Sequence, residues 1–160
     1  MHLSDAERFD SYVLRGPREN SCWIWLGAVS DDGYGRFWIK TPEGQKAVSA
    51  HRFALALVHG GLDNIEGTQS LHDCDVPLCV RATDERTSHL LLGTKSDNML
   101  DRARKGRLPS ATAIKWRHLT RAERAGQSRR LRDELKSHGW QEDIIRELVY
   151  GIDPSHPTLF

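Results

Sequence analysis

At 160 residues, with 38% hydrophobic content and a mean hydropathy of −0.57, the chain suits one compact domain or a small core with an appended module, and excludes two ordinary domains. No apolar run approaches the roughly 18 residues of a membrane helix, and the first ten residues lack signal-peptide character, so a protein without a membrane span, in a reducing cytoplasm, is expected. The formal net charge of +1 conceals a segregation: residues 102–132 carry eleven Lys/Arg against the single acid Glu123, a net of +10, leaving −9 on the remainder.

Ser4 and Glu7 have the spacing of a capping box, and Phe9, Tyr12 and Val13 follow at helical intervals, which predicts a helix over 5–15 stopped by Gly16-Pro17. Two β-prone runs, Cys22 to Leu26 and Tyr34 to Ile39, are separated by the turn Ser30-Asp31-Asp32-Gly33. A turn at Pro42-Glu43-Gly44 leads to a third run, Gln45 to Ala50, and together these predict a small antiparallel sheet. Residues 52–58 read as a short buried helix that Gly60-Gly61 ends.

Between 68 and 94, two extended runs, Gln69 to His72 and His89 to Gly93, flank a long loop containing Cys74 and Cys79. An irregular loop of that length needs a local staple. Thr94 and Asp97 form a capping pair that opens a helix to about Lys105, with Arg102, Arg104 and Lys105 placed at the negative end of its dipole before Gly106. After Pro109 a linker leads to a polar helix from about Thr120 to Ser137, a Gly139-Trp140 break, and a second helix from Gln141 to Tyr150. Ile144, Ile145, Leu148 and Val149 give that last helix its apolar face. The fold expected is α+β, with a first domain over 1–107 and a basic helical extension over 108–160.

Three cysteines, an odd number, are expected to be reduced thiols or thiolate ligands rather than a disulfide framework. Cys22, Cys74, Cys79 and His89 would supply the four soft and borderline ligands that a tetrahedral structural zinc prefers. Zinc would clamp the irregular loop to the N-terminal sheet, contributing stability where burial is scarce. Three buried free cysteines are the alternative.

Metal-assisted phosphodiester cleavage needs a base to deprotonate water, a divalent ion to stabilise developing charge, and a frame that holds both against the substrate. His72 closes the first strand of the strand–loop–strand–helix segment, and Asn98 lies in the first turn of its helix. Positions 98, 101 and 102 share a helix face, so Asn98, Asp101 and the guanidinium of Arg102 point together.

The string Leu71-His72-Asp73-Cys74-Asp75-Val76-Pro77-Leu78-Cys79, followed by His89 to Thr94 and by Asp97-Asn98-Met99-Leu100-Asp101, resembles the HNH endonucleases, particularly the phage and homing-type branch with zinc-binding cysteines. Cys22 to Gly27, Tyr34-Gly35-Arg36 and Ala50-His51-Arg52 look like the same branch, so the resemblance covers 22–107. It implies a ββα-metal core at about 69–107, in which two strands and one helix surround one divalent cation, Mg2+ or Mn2+. On that resemblance His72 is the general base, Asn98 a catalytic metal ligand, and His89 occupies the position of an asparagine that ties the loop in other members. Many members have a second metal ligand immediately before the base, where this chain has Leu71. His51, Asp101 or substrate phosphates would replace it, with His51 favoured; capping of the following helix is the alternative role for His51. Arg52 would contact a phosphate or a carboxylate, and Arg102, Arg104, Lys105 and Arg107 would contact phosphates.

The basic block would meet double-stranded DNA, releasing counterions and giving salt-dependent affinity. Its helix–break–helix pattern resembles a degenerate helix-turn-helix, although Ile152 to Phe160 is too short and proline-rich for a recognition helix; helices packing on the core, or a dimer contact, are the alternatives. The function expected is DNA cleavage by a phage or homing enzyme. The competing class is a zinc-stabilised DNA-binding protein that does not cut. Leu71 favours the second, and the presence of both His72 and Asn98 favours the first.

Overall fold

The computed structural model describes residues 3–107, 116 and 118–150, the side chains of 105–107 excepted. The expected linker after Pro109, the segment Ile152 to Phe160, and the side chains of Lys105 and Arg107 lie outside that set. The class is α+β: short helices and three two-stranded antiparallel sheets.

The first helix, α1 (Asp5–Asp10), starts on the capping box read from the sequence, with the Glu7 N–H donating to Ser4 Oγ and the Ser4 N–H to the Glu7 carboxylate. It ends sooner than the predicted residue 15. Val13–Arg15 instead forms β1, paired with β2 (Trp23–Trp25) in the register Val13↔Trp25. Pairing gives this β-branched, apolar stretch a hydrogen-bonded partner and places Trp25 against Phe9, ring centroids 4.9 Å apart. A helical periodicity over a few residues carries no information about a partner ten residues on.

The β2 run therefore does not join the next two runs in one sheet. β3 (Arg36–Thr41) and β4 (Gly44–Ser49) make their own hairpin, turned at Gly44 with a φ of 127° that favours glycine. Phe37 and Ile39 alternate inward from β3. α2 (Ala50–His59) buries Phe53, Ala54, Leu55 and Ala56 and stops at Gly60, which takes the left-handed cap conformation. The third hairpin pairs β5 (Gln69–His72) with β6 (Leu90–Gly93), and α3 (Lys95–Arg107) follows directly, capped by Thr94 and Asp97.

The core begins as an aromatic cluster of Phe9, Trp25, Phe37 and Phe53 and continues without a break into the C-terminal helices. Those are α4 (Arg121–His138) and α5 (Glu142–Leu148), which bury Leu131, Leu135, Ile145 and Leu148. Trp116 is buried with them and donates its indole N–H to the Val149 carbonyl at 3.1 Å. α4 lies along the 27–34 loop: Arg121 pairs with Asp31 at 2.9 Å, Arg124 Nε donates to the Asp32 carbonyl at 2.6 Å, and Arg132 reaches the Gly27 carbonyl at 3.5 Å. Part of the basic block is thus engaged within the molecule.

Because Leu131 is fully buried in a core shared with the N-terminal elements, Leu131→Ala should lower the unfolding free energy by about 2–5 kcal/mol. The loss should appear in a single urea transition by tryptophan fluorescence. Two separated transitions would mean that α4 and α5 fold independently.

Candidate metal centre and active site

Cys22 stands just before β2, Cys74 and Cys79 lie in the loop after β5, and His89 immediately precedes β6. All three cysteines are free thiols. The four ligand atoms lie within 4.8 Å of one another, and the sulfurs of Cys22 and Cys79 are each 3.5 Å from His89 Nδ1. A tetrahedral zinc with sulfur at about 2.3 Å and nitrogen at about 2.0 Å sets sulfur–nitrogen edges of roughly 3.5 Å. Donor type and spacing therefore fit zinc. Burial alone would keep the Cys79 thiol protonated, but donors from Cys22, Cys74 and the backbone N–H groups of Arg81 and Trp23 hold it well below the usual thiol range.

The backbone around the cluster explains why these residues meet. The Trp25 N–H donates to Leu78 and the Val80 N–H to Trp23, so the loop adds itself to the edge of β2. Opposite, the His89 and Leu90 N–H groups both donate to the Arg81 carbonyl. Buried Arg81 closes the frame by donating to the Ser21 carbonyl at 2.7 Å, beside Cys22.

A cleft of about 600 Å³ opens beside this clamp, and His72, Asn98, Asp101 and Arg102 all line it, as does Leu71. His72 arrives at the end of β5, paired with Leu90 across the hairpin, and Asn98 arrives in the first turn of α3, its N–H donating to Thr94. Gly93 permits the close fit of strand to helix: a Cβ there would meet Leu71 Cδ1 at 2.7 Å and Asp97 at 3.1 Å. The oxygen donors Asn98, Asp101 and Asp75 suit a hard divalent cation. Among the described residues, three His, Cys, Asp or Glu ligand atoms converge only at the cysteine cluster.

His51 does not line the cleft. It packs behind the wall, its ring 5.0 Å from that of His72 and 5.2 Å from Tyr34, which in turn stands 5.7 Å from His72. Burial, reinforced by the charges of His72 and Arg52, pushes His51 down to about 3, so its ring is neutral at ordinary pH. Its Nδ1 is buried without a hydrogen-bond partner. The position is that of a ring backing His72.

Arg52 also departs from expectation. Its guanidinium turns inward, donating to the Thr68 carbonyl at 2.8 Å and the Ile65 carbonyl at 2.9 Å, with Ser70 Oγ at 3.5 Å. It ties α2 to the approach of β5. Arg102 and Arg104 are exposed on α3, the former in the cleft.

Tyr34, Asp75 and Arg124 are among the cleft residues that carried no assigned role in the sequence reading. Tyr34 appeared only as part of a motif. Asp75 adopts a left-handed φ of 58°, which aspartate tolerates better than most residues and which no local pattern announces. Arg124 comes from α4, its guanidinium 5.9 Å over the Tyr34 ring, and reaches the cleft only because the C-terminal helices dock on the core.

No protein-family model matches this chain. No solved structure matches it either. Two curated proteins of Escherichia phage T7 are similar: Protein 2.8, 35% identical over 89 residues, and Protein 7.7, 36% identical over 86 residues. These matches cover 55% and 54% of this chain and 53% and 58% of the relatives, so the chain spans just over half the length of each. Neither name states an activity. Among the described residues no helix is long and apolar enough to cross a membrane.

The Cys–His geometry predicts one zinc per chain by elemental analysis. Cys79→Ser should lose that metal, and removing zinc from the wild type with a chelator should destabilise it by at least about 4 kcal/mol where free metal had stood a thousandfold above its dissociation constant. Metal-free protein with an unchanged melting curve would rule the clamp out.

Proposed function

We propose that the protein is a metal-dependent DNA endonuclease of HNH type, hydrolysing phosphodiester bonds with His72 as general base. The observation that carries this reading is the meeting of His72, Asn98 and Asp101 in one cleft, on a strand and a helix joined through the Cys–His cluster. The strand–loop–strand–helix order of that segment supports the ββα-metal resemblance read from the sequence.

Asn98 and Asp101, with Asp75 nearby, would hold Mg2+ or Mn2+. When bound, such an ion supplies stabilisation of the charge developing on the phosphate and the leaving 3′ oxygen. His72 takes a proton from the attacking water as the new oxygen–phosphorus bond forms and the bond to the 3′ oxygen breaks. Tyr34 and neutral His51 fix the plane of the His72 ring without adding a positive charge that would oppose its protonation. Arg102 and Arg124 both line the cleft, where their guanidinium groups would take phosphate oxygens. Double-stranded DNA is the substrate that the basic residues of α3 and α4 favour, and likeness to two phage proteins supports a phage-encoded or homing enzyme working in the host cytoplasm.

A second reading, a zinc-stapled DNA-binding protein that does not cut, is favoured by one observation: Leu71 lines the cleft where a second protein ligand to the ion would stand. Supercoiled plasmid separates the two. Nicking is expected with Mg2+ or Mn2+, and His72→Ala should slow it by about 10²–10⁴-fold while zinc content is unchanged. Plasmid that is bound but never nicked with either ion would establish the binding reading instead.

A further inference from the structure

A second concavity, of about 460 Å³, lies between β3 and α4 and shares with the candidate active site only its borders on that helix. Its walls carry Arg36 and Trp38 from β3, Arg132 and Lys136 from α4, and Tyr12 beside the buried edge of Trp25. Tyr12 is 41% exposed and Trp38 40%, although the core takes nearly every other aromatic ring of the N-terminal half. Along β3 the outward positions are Arg36, Trp38 and Lys40, so an exposed indole sits between two cations.

The chemistry of the groove is asymmetric. Arg132 is paired with Asp133, and Arg8 with Asp5, whereas the side chains of Arg36 and Lys136 have no ion pair or hydrogen bond among the described residues. Arg8 also donates to the Trp38 carbonyl and lies 4.4 Å over the Phe37 ring, which pins the strand backbone and presents the Trp38 side chain outward. Uncommitted cations beside the exposed indole of Trp38, and beside the ring of Tyr12 that backs onto Trp25 with centroids 5.3 Å apart, are the donor set that recognises a phosphate backbone together with accessible bases. Duplex DNA offers the phosphates but keeps its base faces stacked, and Asp and Glu side chains offer charge but no planar ring.

We propose that this groove binds an unpaired stretch of nucleic acid, with a base stacked on Trp38 or Tyr12 and neighbouring phosphates held by Arg36 and Lys136. The placement agrees with a continuous path: Arg124 lines the cleft and Lys136 the groove, twelve residues along α4, a span of about 18 Å. A strand freed near the cleft would reach the groove within a few nucleotides. The inference adds to the nuclease reading without requiring it, because binding here involves neither His72 nor Asn98.

The test is fluorescence anisotropy with an end-labelled ten-nucleotide oligothymidylate and with a blunt duplex, using Trp38→Leu and Lys136→Glu proteins whose zinc content and melting match the wild type. Each substitution should weaken oligothymidylate binding by tenfold or more, and Trp38→Leu should alter duplex binding by less than twofold. His72→Ala should bind the oligonucleotide like the wild type. Single-strand binding that responds to neither groove substitution, duplex binding weakened as much as single-strand binding by Trp38→Leu, or equally tight competition by polyglutamate would each overturn the groove. Plasmid nicking lost in every metal while oligonucleotide binding stays sensitive to Trp38 would sink the nuclease reading and leave the groove standing.

Discussion

Residues 73–89 contain almost no regular structure, yet they separate the two strands that deliver His72 and lead into α3, and they must be held at one separation for the cleft to exist. Convergence of Cys22, Cys74, Cys79 and His89 supplies that hold. It joins parts of the chain that are far apart in sequence, where closure entropy is costly. Hydrogen bonds from Trp25 to Leu78 and from Val80 to Trp23 convert the same closure into an extension of β2. Position His72 and Asn98 then follow from the β5–β6 register and the Thr94–Asp97 cap, both of which are anchored to the clamp.

The two sets of metal donors differ in a way that divides structure from chemistry. Soft thiolates and one imidazole are assembled within 4.8 Å, a preformed site whose occupation adds directly to folding. Oxygen donors in the cleft are fewer and stand on separate elements, so an ion there would draw its remaining ligands from water and substrate phosphate, as hard divalent ions commonly do. Leu71, which packs toward Gly93, tightens the joint between β5 and the start of α3.

Charge segregation takes on a different meaning once the helices are placed. The block from Arg102 to Arg132 looks like a uniform polycationic surface in the sequence, but Arg121, Arg124 and Arg132 bond to Asp31 and to the carbonyls of Asp32 and Gly27, and Arg130 pairs with Glu147. Exposed ion pairs contribute little stability singly. Their effect is positional: they lay α4 against the 27–34 loop, so that one helix borders both concavities. The apolar residues Leu131 and Leu135 supply the energy of that docking, and the arginines its alignment.

Features governed by chemistry within a few residues were legible in the sequence. The capping pairs at Ser4 and Thr94, the glycine stop at Gly60, and the strands Gln69–His72 and Leu90–Gly93 follow from residue types at short spacings, and the ligand set Cys22, Cys74, Cys79 and His89 from donor softness. What tertiary structure alone decided was which strand pairs with which, and which cations are already satisfied. Val13–Arg15 became a strand because Trp23–Trp25 was available to it; Arg52 turned inward because the carbonyls of Ile65 and Thr68 faced it; Tyr34, Asp75 and Arg124 reached the cleft because loops and helices remote in sequence closed around His72. Short-range patterns are set by backbone geometry and local hydrogen bonding, whereas partnerships across the fold depend on how the apolar core is shared, which no local window contains.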